Sequence, residues 1–167
     1  FTPNIEWTLE TNALEPYAEM SLIESFLYLI ESNHSWNPNE PYFQLTKVDP
    51  QTGTYQWKSI KIAKIENSTP VKCNELIVVQ ASAGWLYFFD DATGDLKATV
   101  KLGNNDNSAR RNSAVLHTII SYNNHLYWGN NGYDTSGGVD PLGLMRFNVN
   151  DLNLSYNPND EQIIEPQ

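Results

Sequence analysis

The sequence predicts an all-β protein built of repeated four-stranded antiparallel sheets, the blades of a β-propeller. Three observations predict it: a turn motif that recurs at a fixed interval, short β-branched and aromatic runs bounded by Asn, Gly or Asp, and weak helical periodicity throughout. The motif is clearest in Val48-Asp49-Pro50-Gln51-Thr52-Gly53-Thr54-Tyr55-Gln56-Trp57. Phe89-Asp90-Asp91-Ala92-Thr93-Gly94 repeats its apolar-Asp-x-x-Thr-Gly core, and the two glycines stand 41 residues apart (53 to 94). That interval suits blades, whose sequence repeats run about 40–50 residues.

Each residue of the motif has a physical task. An Asp after a strand accepts hydrogen bonds from amides two or three residues on and folds the chain into a turn. The Gly supplies the positive φ that closes it. The aromatic four residues later lies on the returning strand, where it can pack between neighbouring sheets. Asp49, Thr52, Gly53 and Trp57, with Asp90, Thr93 and Gly94, are therefore read as the structural turns of the repeat.

Taken in order, residues 5–9 (Ile-Glu-Trp-Thr-Leu) resemble the last strand of a preceding copy. The first full copy offers strands at 19–23, 26–30, 42–49 and 54–62, and the second at 70–73, 75–80, 85–90 and 96–102. The third offers 114–122, 125–129, 143–148 and 152–156 around a degraded turn, Phe147-Asn148-Val149-Asn150-Asp151-Leu152, with Tyr156 in the place of Trp57. Residues 14–29 could be misread as an amphipathic helix, but their Tyr, Phe and Ile content and their place in the repeat favour strands. The organisation is then 1–13 as the end of a preceding blade and a linker, blades at 14–65, 66–106 and 107–160, and a tail at 161–167.

The Asp-x-x-Thr-Gly-x-x-x-Trp turn after an apolar strand resembles the repeat of the pyrroloquinoline-quinone-like β-propellers. The likeness runs from Met20 to Tyr156, and Ala98 stands where the second copy should carry its Trp. That family includes quinoprotein dehydrogenases and non-enzymatic outer-membrane assembly scaffolds. The enzymes are known for an adjacent cysteine pair, a tryptophan floor, calcium and a catalytic aspartate. Cys73 is the only cysteine, so the pair cannot form, and no other residue can be matched to those roles. The lone thiol reads as a small buried hydrophobe.

Propellers close with about 4–8 blades. Three blades and an orphan strand are accordingly read as part of a larger or assembled propeller, completed by the remainder of its own polypeptide or by another copy of the chain. Because the chain begins in mid-pattern, the fragment reading is preferred.

Composition narrows the function. The formal net charge is −10 and Arg110-Arg111 is the only basic doublet, which argues against a nucleic-acid surface. No apolar run approaches the ~20 residues of a membrane-spanning helix. An acidic, Asn-rich chain with one Cys is compatible with a periplasmic, cell-surface or secreted protein.

The four-stranded topology sends residues 31–41, 103–113 and 130–142, all long and polar, to one face, and long loops on a rigid scaffold are where binding usually resides. Trp36, Arg110, Arg111, Tyr133 and Asp134 are the candidate contacts: the aromatics could stack on a sugar or peptide side chain, and the polar groups could hydrogen-bond to it. The bland alternative is that these loops hold only themselves through Asx turns. Oxygen-rich loops suit calcium, yet neither 104–107 nor 134–140 has the alternating acids ending in Glu of a dedicated calcium loop. His34, His117 and His125 share no metal-ligand spacing, and no cofactor is evident. The reading is a non-catalytic scaffold that presents its loop face to a protein or glycan. The alternative is a fragment of a quinone-dependent or other periplasmic dehydrogenase whose catalytic residues lie outside this chain.

Overall fold

The computed structural model describes residues 4–11, 20–32, 43–62, 69–81, 85–102, 119–130, 143–154 and 162–164. Three antiparallel sheets follow one another along the chain. The first holds β1 (Ser21–Ile23), β2 (Phe26–Ser32), β3 (Phe43–Asp49) and β4 (Thr54–Lys58), in that order. The second holds β5 (Val71–Cys73), β6 (Leu76–Ala81), β7 (Trp85–Asp90) and β8 (Leu96–Leu102). The third holds β9 (Ile120–Tyr122), β10 (His125–Asn130) and β11 (Gly143–Asn148). The first strands of successive sheets lie close together, β1 near β5 and β5 near β9, so the sheets radiate from a common inner line as blades do.

Alternation of side chains builds the two seams. Tyr28, Ile30, Phe43 and Leu45 of the first blade meet Ile77, Val79 and Phe89 of the second. The other face of the second blade, with Cys73, Leu76, Val78, Leu86, Phe88, Ala98 and Val100, meets Leu126, Trp128 and Phe147 of the third. The middle blade is thus covered on both faces, which is why Ile77, Val78 and Val79 can be consecutive and all buried.

Tight reversals join β1 to β2, β5 to β6 and β9 to β10. Glu24, Asn74, Asn123 and Asn124 adopt left-handed φ angles of 55°, 57°, 46° and 62° there, a conformation that Asn tolerates better than Glu.

Several sequence expectations change. Residues 21–32 are two strands, as their composition implied. Residues 5–9 pair with no strand among the described residues, although Trp7 is docked as an outermost strand's Trp would be (below). The strand expected at 54–62 ends at Lys58, and only a lone bridge, Phe43 to Ile62, follows it. The fourth strand expected at 152–156 is absent from 152–154. Asn148 instead caps a single 3-10 turn, Val149–Asp151, and Leu152 closes it with its side chain buried in the second seam. Residues 155–156 lie outside the described set. The segment read only as a tail carries β12 (Gln162–Ile164), which adds in parallel to the outer edge of β8 and makes the second sheet five-stranded.

Candidate functional site

The repeated turn is a docking device. In the first blade, Asp49 Oδ1 accepts from the amide of Gln51 at 2.8 Å and Asp49 O from Gly53 N at 2.8 Å. In the second, Asp90 Oδ1 accepts from Ala92 N and Thr93 N at 2.9 and 3.0 Å, and Asp90 O from Gly94 N at 2.8 Å. The glycines take φ of 68° and 77°. An indole lies against each: a Cβ added to Gly53 would come within 2.7 Å of the Trp7 ring, and one on Gly94 within 2.6 Å of the Trp57 ring. Each ring also donates its Nε1–H to the carbonyl of the residue after the turn Asp, Trp7 to Pro50 and Trp57 to Asp91, both at 2.9 Å. The Trp of one blade therefore clasps the turn of the next.

A register shift sits just before both turns, between Lys47 and Val48 and between Phe88 and Phe89. These matched bulges put Trp57 opposite Lys47 and Ala98 opposite Phe88. Ala98 thus occupies the place of a clasping Trp, and the third blade's turn has no Gly to receive one. The clasp is lost from both sides of that seam, and Phe88 meets Phe147 edge to face at 6.4 Å instead.

The first seam also carries a buried ionic cluster. Asp91 Oδ1 accepts from Lys47 Nζ at 2.7 Å and from the Tyr28 hydroxyl, and Oδ2 accepts from Lys72 Nζ at 2.8 Å. The Asp91 carbonyl receives Lys47 Nζ as well as Trp57 Nε1, each at 2.9 Å. Lys72 also reaches Glu24 at 2.9 Å, and Lys47 sits 4.4 Å from the Phe26 ring centre. Two ammonium groups face two carboxylates, so the cluster is neutral.

Burial alone would raise the Asp91 carboxyl, but the hydrogen bonds from Lys47, Lys72 and Tyr28 outweigh it and hold it at about 2. The Tyr28 phenol is pushed well above its ordinary range, first by burial and then by its bond to Asp91. Lys72 is raised by its bond to Asp91, against the opposing effect of burial. A carboxylate this fully engaged is a fixed structural charge. It is poorly suited to proton transfer, which needs a group that titrates near the working pH.

A second buried carboxylate, Glu31, sits near the end of β2 that leads to the loop face, accepting from Thr46 Oγ1 at 2.9 Å and from Lys58 Nζ at 3.1 Å. Burial would lower the Lys58 ammonium, but its bonds to Glu31 and Tyr55 raise it.

Trp36, Arg110, Arg111, Tyr133 and Asp134 lie outside the described residues. Asp49, Thr52 and Gly53 lie at the turn between β3 and β4, Asp90, Thr93 and Gly94 at the turn between β7 and β8, and Trp57 lies on β4. Sequence reasoning missed Asp91, Lys47 and Lys72. The signal was there: Asp91 puts a second acid where the first copy has Pro50, and Lys47 shares the inward parity of Phe43 and Leu45. Cys73 is buried in the second seam. Among the described residues no cluster of His, Cys, Asp and Glu is arranged to hold a metal ion, and no helix is long and apolar enough to cross a membrane.

No protein-family model matches the sequence, and no curated protein sequence is similar to it. Solved structures do share its fold. The computationally designed Ika4 protein aligns over 89% of this chain and 74% of its own, with 11% identity and a TM-score of 0.56. A europium-containing methanol dehydrogenase aligns over 88% of this chain and 25% of its own, with 10% identity and a TM-score of 0.55. BamB from Moraxella catarrhalis aligns over 70% and 31%, with 11% identity and a TM-score of 0.47. The chain therefore spans about a third or less of these two natural proteins. With its three radiating sheets and an indole clasped on the turn of each of the first two, it is a set of β-propeller blades.

Proposed function

We propose that the chain is a non-catalytic propeller scaffold, exported to the periplasm or the cell surface, whose loop face presents a binding surface to a protein or glycan. One observation carries the reading. In the strand order, β2, β8 and β10 end and β3, β9 and β11 begin at one end of the blades, where the long connections 33–42, 103–118 and 131–142 attach, while tight reversals and the Asp-x-x-Thr-Gly turns close the other end. Beside that asymmetry, the strongly shifted groups, Asp91 and Tyr28, are neutralised inside a blade seam rather than presented in a cleft. Trp36, Arg110, Arg111, Tyr133 and Asp134 all belong to the long connections and are the proposed contacts. Calcium, if it binds, belongs to the same loops.

Arrays of glycans and of extended peptides, probed with the wild-type chain and with the triple variant Trp36→Ala, Arg110→Ala, Tyr133→Ala, test this. The expected result is a defined set of bound probes that the variant loses while unfolding at the same temperature. Capture that the three substitutions leave untouched refutes the proposal.

The fold likeness to a methanol dehydrogenase keeps the alternative of a dehydrogenase fragment in view. That likeness extends to the fold and supplies no catalytic residue. Titration with pyrroloquinoline quinone and calcium, followed by absorbance, separates the two: a saturable spectral change favours the dehydrogenase fragment, and a flat titration dismisses it for this chain.

A further inference from the structure

The three blades align position by position, because each has a tight reversal before its second strand and an Asp or Asn at the turn after its third. One cross-strand pair, on the face turned away from the preceding blade, then has the same place in all three. It joins the third residue of the second strand to the residue two before the turn Asp or Asn. In the first blade the pair is Tyr28 opposite Lys47, in the second Val78 opposite Phe88, and in the third Tyr127 opposite Arg146.

Each pair is matched to the residue after the turn Asp or Asn of the next blade. Tyr28 and Lys47 hold Asp91, the phenol and the ammonium both donating to Oδ1. The corresponding residue of the third blade is Val149, which follows Asn148 and is buried in the same apolar cluster as Val78 and Phe88. Phenol and cation therefore meet a carboxylate in one seam, and hydrocarbon meets hydrocarbon in the other.

The third pair repeats the chemistry of the first without its acid. Arg146 is exposed, and among the described residues no carboxylate pairs with it and nothing hydrogen-bonds to the Tyr127 hydroxyl. Ile120, Tyr122 and Leu144 share the face and are 62%, 65% and 76% exposed. Leu144 stands where the first blade has Leu45, which its seam buries completely. An apolar surface around an uncompensated cation has the make-up of a seam with one side missing.

We propose that this face of the third blade is a docking site for a further blade that carries a carboxylate directly after its turn Asp, the pattern of Asp90-Asp91. That carboxylate accepts from the Arg146 guanidinium and the Tyr127 hydroxyl, while Ile120, Tyr122 and Leu144 are covered. Apolar burial supplies the affinity and the acid selects the partner. A second copy of this chain does not fit, because its first blade has Pro50 at that position and its Asp91 is already held between Lys47 and Lys72. The docking blade is contributed by polypeptide outside these 167 residues. The site uses none of the proposed loop contacts, so the array experiment above is independent of it.

A backbone-cyclised peptide of residues 85–101, the β7–β8 hairpin with Asp90-Asp91 at its turn, serves as the probe. Cyclisation is needed because isolated hairpins are marginal, and NMR verifies its cross-strand pairing before use. Titrated into the isotope-labelled full chain, it should bind saturably and shift the amide signals of β9 and β11. Asp91→Asn in the hairpin should weaken binding about tenfold, the effect of losing one charged hydrogen-bonded contact. Arg146→Gln in the chain should do the same, and the two changes together should cost little more than either, because both remove one contact. Arg146→Lys should keep most of the binding, since a lysine fills this place in the first blade. A cyclised hairpin of residues 46–58, with Pro50 in place of the acid, should bind no better than the Asn form. Absence of saturable binding, equal binding of the Asp and Asn hairpins, or an Arg146→Gln chain that binds as tightly as wild type would overturn the proposal. Preference for the Pro50 hairpin would overturn it too, and would make a second copy of the chain the occupant.

Discussion

Between the first and second blades, an indole lies on a glycine and one carboxylate is shared by two ammonium groups. Between the second and third, Ala98 and Phe88 meet Phe147 and Trp128 as hydrocarbon. The register makes the two seams directly comparable. Trp57 opposite Lys47 in the first blade becomes Ala98 opposite Phe88 in the second. The large residue has moved to the other strand of the pair, and the charge has gone with the indole. A repeat can therefore keep its spacing while exchanging a directional, polar seam for a non-directional one. Apolar packing tolerates changes of shape, but a polar cluster fails when one member is removed.

The largest expected effect comes from removing that one member. Asp91→Leu would leave Lys47 buried at the seam without its partner, and breaking a buried pair in this way costs about 3–5 kcal/mol. Urea unfolding followed by tryptophan fluorescence should show that loss. The double variant Asp91→Leu with Lys47→Met removes both charges and should recover most of it, because apolar replacement of a buried pair is often neutral. If the single variant unfolds within about 1 kcal/mol of wild type, the cluster does not hold the seam.

Gly94→Ala attacks the clasp. A Cβ at φ 77° is strained by about 1–2 kcal/mol, and its approach to within 2.6 Å of the Trp57 ring adds overpacking of similar size. The expected loss is about 3 kcal/mol. In a Trp57→Ala background the ring is gone, and the same substitution should cost only the backbone strain, about 1–2 kcal/mol. Additive losses would show that the indole does not press on the glycine.

The same comparison shows what the sequence could and could not tell. Asp49-x-x-Thr-Gly and its repeat at Asp90 were legible because the bonds within each turn are local: the Asp side chain accepts from amides two or three residues on, and the Gly φ closes the reversal. The strands around them were legible to within a few residues for the same reason. Lys47 was not recognised as a seam residue, because its partner Asp91 is 44 positions away and only the assembled blades bring them together. The third copy misled for a local reason. Asn148 does the work of the missing Asp, accepting from Asn150 N at 3.1 Å, but with no Gly to reverse the chain the turn becomes a 3-10 helix and no returning strand follows it in residues 152–154. The addition of β12 to β8 is parallel and non-local and leaves no pattern to read. The loop contacts fall outside the described residues, so the binding surface remains a proposal from topology.

Acid distinguishes the seams next. Asp91 titrates at about 2 in the folded chain against an ordinary 3.8, so the folded state holds this carboxylate deprotonated more firmly than the unfolded one. Its contribution is complete above about pH 4 and is lost as pH falls toward 2, a change of about 2 kcal/mol. Denaturation midpoints measured across that window should fall in the wild type. Part of the fall should vanish in the variant that lacks both Asp91 and Lys47. An unchanged acid slope would place the sensitive groups elsewhere.

The smallest expected effect lies in the other seam. Phe147→Leu removes the edge-to-face contact with Phe88 but keeps an apolar side chain in a cluster that also holds Leu86, Leu126 and Leu152. The cost should be about 1 kcal/mol, the sum of a lost aromatic pair and a small change of volume. It should be the same at pH 3 and pH 7 and at low and high salt, because no charge takes part. Measured beside Asp91→Leu, it asks whether the second seam is held by hydrocarbon alone. A Phe147→Leu penalty that grew as the pH fell would mean that a titrating group also acts there, and the contrast between the two seams would fail.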